Sequence, residues 1–152
     1  MPKYLLDTNA CIAIRNNFRG GASKDPAVRA RQERLISRWK TMAGSELAMS
    51  FFTLGELAVW VEKHSTPPKA RELLDKLTAA IEIVKAPADD GGVALALRYG
   101  ALRADLERSG NKIPYHDMWI AAHALLLNMT VVTGDLHDFG RVPNLTFEDW
   151  TA

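Results

Sequence analysis

Lys3-Tyr4-Leu5-Leu6-Asp7-Thr8-Asn9 sets a short apolar run directly against a carboxylate. A run of this length, with a charged residue behind it and a polar stop in front, reads as a buried strand. The strand covers Lys3 to Leu6, ends at Asp7, and is followed by a short helix to Ile14. Working outward, Leu47 to Ser50 and Ile81 to Val84 read as further strands. Thr130 to Thr133 is a β-branched run and a clear strand, and Leu145 to Phe147 is a last short one. Helical segments lie between them. Gly20 and Gly21 break the chain, and Asp25-Pro26 supplies an N-cap followed by proline at the first helical position. Val28, Leu35, Trp39 and Met42 fall near one face of that helix, and Arg31, Arg34 and Arg38 share another stripe. Helices are also predicted over Thr53 to Glu62, from Pro67 to about Thr78 (with Leu73, Leu74 and Leu77 as core positions), over residues 88 to 108, and over Tyr115 to Leu127. Val93, Leu97 and Leu106 are apolar positions of the 88–108 helix, and Gly110 stops it. This alternation predicts an α/β fold with a mostly parallel sheet and helices on both faces. The 152 residues suit a single domain, 1–152, with a real core.

Composition narrows the function classes. The single cysteine, Cys11, excludes an internal disulfide and a Cys-rich zinc site, and in an apolar helix it reads as a buried small hydrophobe. No run approaches the length of a membrane span, and the N-terminal residues lack the apolar stretch of a signal peptide, so a cytoplasmic location without membrane contact is expected. The sequence holds no GxxxxGK[ST], GxGxxG or HExxH. Net charge is only +1, but it is unevenly placed. Residues 15–40 carry eight basic residues against Asp25 and Glu33, a net of +6, which leaves the rest of the chain at −5. Such asymmetry points to a polyanion partner, with a solvated helix face as the plainer reading.

Ligands of such folds sit at the carboxyl ends of the strands. Asp7 stands at the end of the first strand, and Asp135 two residues past Thr133. Glu56 falls in the first turn after the second strand, and Asp117 in the first turn of the helix beginning at Tyr115. Asp138 lies one short turn beyond Asp135. Carboxylates gathered on one edge repel one another unless a cation offsets them. Oxygen ligands without cysteine suit magnesium or manganese, and such an ion activates water for attack on a phosphodiester. Each acid has a structural reading as well. Asp7 suits a helix cap, Thr53-Leu54-Gly55-Glu56 fits a capping box, Asp117 is favoured by the helix dipole, and Asp135 after Gly134 suits a turn. His116 is expected to point elsewhere on its helix. The four tryptophans read as core or interface residues.

Four ordered blocks then resemble a known family. They are Leu5-Leu6-Asp7-Thr8-Asn9, Phe52-Thr53-Leu54-Gly55-Glu56-Leu57, Ile113 to Ala124 with Pro114-Tyr115-His116-Asp117, and Val131-Val132-Thr133-Gly134-Asp135-Leu136-His137-Asp138-Phe139. Together they look like a PIN domain, and most like the VapC toxins of bacterial type II toxin–antitoxin systems. The resemblance implies a Rossmann-like α/β/α sandwich and a Mg2+-dependent endoribonuclease, with Mn2+ as a substitute ion. It places the acidic positions at Asp7, Glu56, Asp117, Asp135 and Asp138, with Thr8 and Thr133 beside the metal. Many members have Asn where this chain has Asp135, which leaves either Asp135 or Asp138 as the direct ligand. The family's habits also imply a homodimer, a VapB-like antitoxin laid across the acidic groove, RNA as substrate, and DNA contact made through the antitoxin alone. The basic segment adds Arg31, Arg34 and Arg38 as expected contacts to the RNA backbone. Two other readings are weighed against this one. The first is a non-catalytic domain that docks a basic peptide in the acidic groove. The second is a phosphatase, disfavoured because Asn9 stands where an Asp-x-Asp pair needs its second acid.

Overall fold

A computed structural model describes residues 2–85 and 90–152. Its elements run β1 (Tyr4–Leu6), α1 (Thr8–Arg19), α2 (Pro26–Thr41), β2 (Leu47–Ser50), α3 (Phe51–Lys63), α4 (Pro67–Ala80), β3 (Glu82–Val84), α5 (Val93–Arg108), α6 (Tyr115–Leu127), β4 (Thr130–Val132), α7 (Leu136–Phe139) and β5 (Phe147–Glu148). The five strands form one parallel sheet in the order β3-β2-β1-β4-β5. Side chains alternate across a strand, and the core divides accordingly. Tyr4, Leu6, Leu47, Met49 and Val132 face one layer with Ile14, Leu35, Leu57 and Leu74. Leu5, Ala48, Val84 and Val131 face the other with Leu102, Leu106, Ile120 and Ala121. The expected α/β/α sandwich and parallel sheet are therefore present.

The order of the strands explains which helices lie on which face. From β1 the chain steps to β2 and β3 in one direction, through α1 to α4. It then returns past β1 to β4, through α5 and α6. Crossovers between parallel strands are right-handed, so reversing the direction of travel moves the helices to the opposite face. The reversal leaves a crevice at the carboxyl ends of β1 and β4, which pair in register from Tyr4↔Thr130 to Leu6↔Val132.

Several boundaries differ from those expected. Helix α1 continues past Ile14 to Arg19, because Arg15 is buried with its guanidinium 3.8 Å from the centre of the Trp60 ring and Phe18 packs edge-on against Trp39. It ends at Gly20, whose φ of 80° is open to glycine without strain. Helix α2 begins at Asp25-Pro26 as expected, with the Asp25 carboxylate accepting from the Ala27 amide. Val28 at its start is exposed, and Leu35 carries the buried face. Helix α3 starts at Phe51 rather than Thr53, since the Ser50 hydroxyl already accepts from the Phe52 amide. Within α5, Val93 and Leu97 are exposed while Leu95, Leu102 and Leu106 turn inward; its expected start at residues 88 and 89 lies outside the described residues. The last strand shifts to Phe147–Glu148.

One buried polar link ties the two layers through the end of β2. His123 on α6 is wholly buried, with Nδ1 2.9 Å from the Ser50 hydroxyl and Nε2 3.1 Å from the Lys85 carbonyl. The carbonyl can only accept, so Nε2 carries the proton and Nδ1 accepts from Ser50. Burial pushes the pKa of His123 below the usual histidine range, which keeps the ring neutral. His123→Leu leaves the Ser50 hydroxyl and the Lys85 carbonyl without this partner. It is expected to cost about 2 kcal/mol, read as a fall of about 4–8 °C in thermal midpoint.

Candidate active site

Asp7 is the first residue after β1, and its amide donates to the Val132 carbonyl (3.0 Å), so its backbone is fixed by the neighbouring strand. Its side chain turns into the start of α1, where Oδ1 accepts from the Ala10 amide at 2.8 Å. Thr133, the first residue past β4, lies beside it with its hydroxyl close enough to favour the ionised Asp7 carboxylate. The same hydroxyl accepts from the Asp135 amide (2.9 Å), and Asp135 Oδ1 in turn accepts from the Asp138 amide (3.0 Å), capping α7. Asp117 is the third residue of α6. Local folding thus delivers one acid from each of β1 and α6 and two from the turn after β4.

The arrangement brings carboxylate oxygens of Asp117, Asp135 and Asp138 within 4.8 Å of one another. Asp7 joins them in lining a cavity of about 250 Å³, together with Thr8, Asn9, Pro114, His116 and Phe139. Burial raises the pKa of Asp7; hydrogen bonds from Thr133 and Ala10 oppose the rise, and the charge of Asp135 adds to it. Asp117 is pushed up to about 6, first by burial and then by Asp7, Asp135 and Asp138, with His116 pulling the other way. A set of oxygen donors that repel one another at short range suits a hard divalent cation, which relieves both burial and repulsion.

Asp7 caps α1 as its position suggested, Asp135, read as a turn residue, caps α7 instead, and both line the cavity. The capping box at Thr53 does not form. Thr53 is buried inside α3 with its hydroxyl 3.4 Å from that of Thr8, and Ser50 is the cap. Glu56 is therefore the sixth residue of the helix rather than a first-turn residue. It is exposed, shares the Thr53 stripe one turn along, and does not line the cavity that holds the other four acids.

His116 differs from expectation. Its Nε2 lies 3.3 Å from Asp117 Oδ1 and the residue lines the cavity, because at the open first turn of α6 the ring folds back over its neighbour. Sequence reasoning also missed a chain of contacts behind Asp138. Arg141 Nη2 sits 3.0 Å from His137 Nε2, and His137 Nδ1 sits 3.1 Å from Asp138 Oδ1. Arginine only donates, so His137 accepts at Nε2 and donates from Nδ1 to the carboxylate. The spacing Asp138, His137, Arg141 on a short helix and its exit was the available signal.

The basic segment is divided. Arg15 is buried. Arg34 Nε donates to the Thr151 carbonyl at 2.8 Å, and Arg38 lies over Trp150, so both brace the C-terminal residues. Arg31 lines a separate groove with Asn9, Gly134 and Asp135. Cys11 is buried, Trp150 is buried, and Trp39, Trp60 and Trp119 pack against the core as expected.

Comparison with known proteins agrees with this fold. The family model described as PIN domain matches residues 4–145. A ribonuclease VapC2 of Rickettsia felis is 32% identical over 147 residues, covering 97% of each chain. A tRNA(fMet)-specific endonuclease VapC of Salmonella typhimurium is 29% identical over 150 residues, covering 99% of each. Among solved structures, the DNA-bound VapBC of Salmonella typhimurium superposes with a TM-score of 0.78 at 29% identity, covering 99% of both chains. VapBC-1 of nontypeable Haemophilus influenzae gives 0.78 at 27% identity, covering 98% of both.

Proposed function

The chain belongs to the PIN-domain family, and from that premise we propose that it is a metal-dependent endoribonuclease, the toxin of a VapBC-like toxin–antitoxin pair. The observation that carries the reading is the gathering of Asp7, Asp117, Asp135 and Asp138 around one cavity at the β1/β4 crevice. The ion is Mg2+, with Mn2+ able to replace it, held by Asp7, Asp117, Asp135 and Asp138. Bound there, it would lower the pKa of a water and polarise the phosphoryl oxygen under attack.

The protein's own groups set up that chemistry. The Ala10 amide holds the Asp7 carboxylate, and the neighbouring Thr133 hydroxyl favours its ionised form. His137, backed by Arg141, holds the carboxylate of Asp138. Asp135 keeps α7 formed through its cap, so Asp135 and Asp138 keep a fixed spacing. Thr8 lines the cavity as a polar neighbour of the ion. Glu56, exposed one turn along from Thr53, serves as a further acid for the ion or substrate when RNA is bound. Arg31 contacts the RNA backbone from the α2 side, with Arg34 and Arg38 adding to the field there. The working unit is a cytoplasmic homodimer of single-domain chains. It cuts structured RNA, with a transfer RNA as first candidate because a relative named for tRNA(fMet) aligns over 99% of its length. A VapB-like antitoxin covers the acidic groove and makes the DNA contacts. Relatives named ribonucleases along their whole length do not favour the docking-only reading.

Incubating the purified chain with initiator transfer RNA, with Mg2+ or with chelator, tests the proposal. Cleavage that needs the ion is expected; cleavage indifferent to chelator, or none with any divalent ion, overturns it. A pH dependence follows from Asp117, which must lose its proton to bind a cation and does so at about 6. At low Mg2+, kcat/KM is expected to fall about tenfold per pH unit below that point, and more Mg2+ should move the midpoint to lower pH. A flat profile between about pH 5 and pH 7 would contradict an essential Asp117 carboxylate.

A further inference from the structure

Beside the acidic cavity lies a cationic surface that the catalytic assignment does not use. Tyr115 opens α6 and is exposed, between Pro114 and His116, both of which line the cavity. Two cations converge on its ring. The Arg103 guanidinium is 4.4 Å from the ring centre with Nη2 3.3 Å from the hydroxyl, and Lys112 Nζ is 4.9 Å from the centre. Arg103 is held in place by Glu107 (2.8 Å) and the Tyr99 hydroxyl (3.4 Å). Lys112 is tied to Arg141, whose Nη1 donates to the Lys112 carbonyl at 3.2 Å while Nη2 reaches His137. The surface is thus continuous, through Arg141 and His137, with the carboxylate of Asp138.

Two cations packed against one phenol ring repel each other. Among the described residues Glu107 is the carboxylate that meets this group: it is bound to Arg103 at 2.8 Å, and its charge also reaches Lys112 and Tyr115, so it offsets one of the two cations. Two cations against one carboxylate leave a net positive charge around the exposed tyrosine. A polyanion entering a cavity of four acids also needs cations close by, since repulsion outside the ion's reach is otherwise uncompensated. Tyr115 does not itself line the cavity, but it stands between Pro114 and His116, which do, so a strand leaving the cavity past either residue comes close to it.

We propose that Tyr115, Lys112 and Arg103 form a clamp for a backbone phosphate of the RNA substrate, next to the cleaved bond and apart from the groove that Arg31 lines. The inference rests on the endoribonuclease reading and adds a substrate-binding subsite to it. Direct partners of the phosphate are the Lys112 ammonium, the Arg103 Nη atoms and the Tyr115 hydroxyl.

The test compares Lys112→Ala, Arg103→Ala and Tyr115→Phe with the parent chain, and uses Arg71→Ala, an exposed cation paired with Asp75 on α4, as the control. Cleavage of a transfer RNA gives kcat and KM. Binding of a short single-stranded oligoribonucleotide to the same variants, each carrying Asp7→Asn to block cleavage, gives affinity against salt. Lys112→Ala and Arg103→Ala are expected to raise KM about tenfold with kcat within about twofold, and to make the log–log salt dependence shallower by about 0.7 each. Lys112→Arg should restore most of the loss, which a purely structural role would not predict. Unchanged KM and salt slope in both alanine variants overturn the clamp, as does a loss confined to kcat. If the parent cuts no RNA at all, the endoribonuclease reading fails separately, and the binding measurements still decide the clamp.

Discussion

Asp7→Asn is expected to lower kcat/KM for RNA cleavage by at least about 10³-fold while leaving the chain folded. Asparagine keeps the shape and one acceptor oxygen, so the Ala10 amide retains its partner and α1 its cap. The change removes the charge that an ion requires from the most buried of the four acids. Stability should hold or rise, because the carboxylate pays for its burial and faces Asp135. Asp117→Asn should behave alike. At pH 7 the parent must keep Asp117 ionised although its pKa is pushed up to about 6, so the folded state binds its proton more tightly than the unfolded chain. Stability from this group is greatest at low pH and falls as pH rises through that window. Replacing it with a neutral amide should therefore stabilise the metal-free protein at pH 7, by on the order of 2 kcal/mol. Heat unfolding in chelator reads that gain, and added Mg2+ should raise the midpoint of the parent but not of either variant. Full ion-dependent cleavage by either purified variant would remove its residue from the site.

Phe139→Ala is expected to cost about 3–5 kcal/mol, the range for deleting a buried aromatic, and to weaken cleavage well below the unfolding temperature. Phe139 is wholly buried and lines the cavity from below. It belongs to α7, only four residues long, which is far too short to persist as an isolated helix. Two things keep α7 formed: the Asp135 cap at one end and the Phe139 ring seated among Leu5, Ile113, Met118 and Val131 at the other. Losing the ring frees the turn that spaces Asp138 from Asp135. Activity should then fall with weaker ion affinity, seen as a higher Mg2+ concentration for half-maximal rate. Phe139→Leu should recover much of both. A variant that loses stability but keeps its Mg2+ dependence would show that α7 is held by its cap alone.

The carboxylates were legible because strand ends are legible: a buried apolar run that stops at an acid marks a sheet edge. Glu56 shows the limit of that reasoning. A four-residue capping pattern fits Thr53 to Glu56 on spacing, yet Ser50 captures the Phe52 amide three residues earlier and turns Thr53 inward. Which of two adjacent caps wins depends on what the following helix buries, and that is a matter of packing. Val93 and Leu97 fail for the same reason: both are apolar, but the face of α5 that meets α6 is set by Leu95, Leu102 and Leu106.

The sequence by itself determined the alternation of strands and helices, the parallel sheet, and the identity of the acids at its edge, since these follow from local periodicity and from where apolar runs stop. Only the tertiary structure decided that β1 lies between β2 and β4, because strand order depends on contacts between residues more than a hundred positions apart. That order draws Asp7 beside Thr133 and Asp135. It also sets the cations of Lys112 and Arg103 around Tyr115, where no pattern in the chain places them, because convergence of side chains from α5, the following loop and α6 exists only once the helices pack.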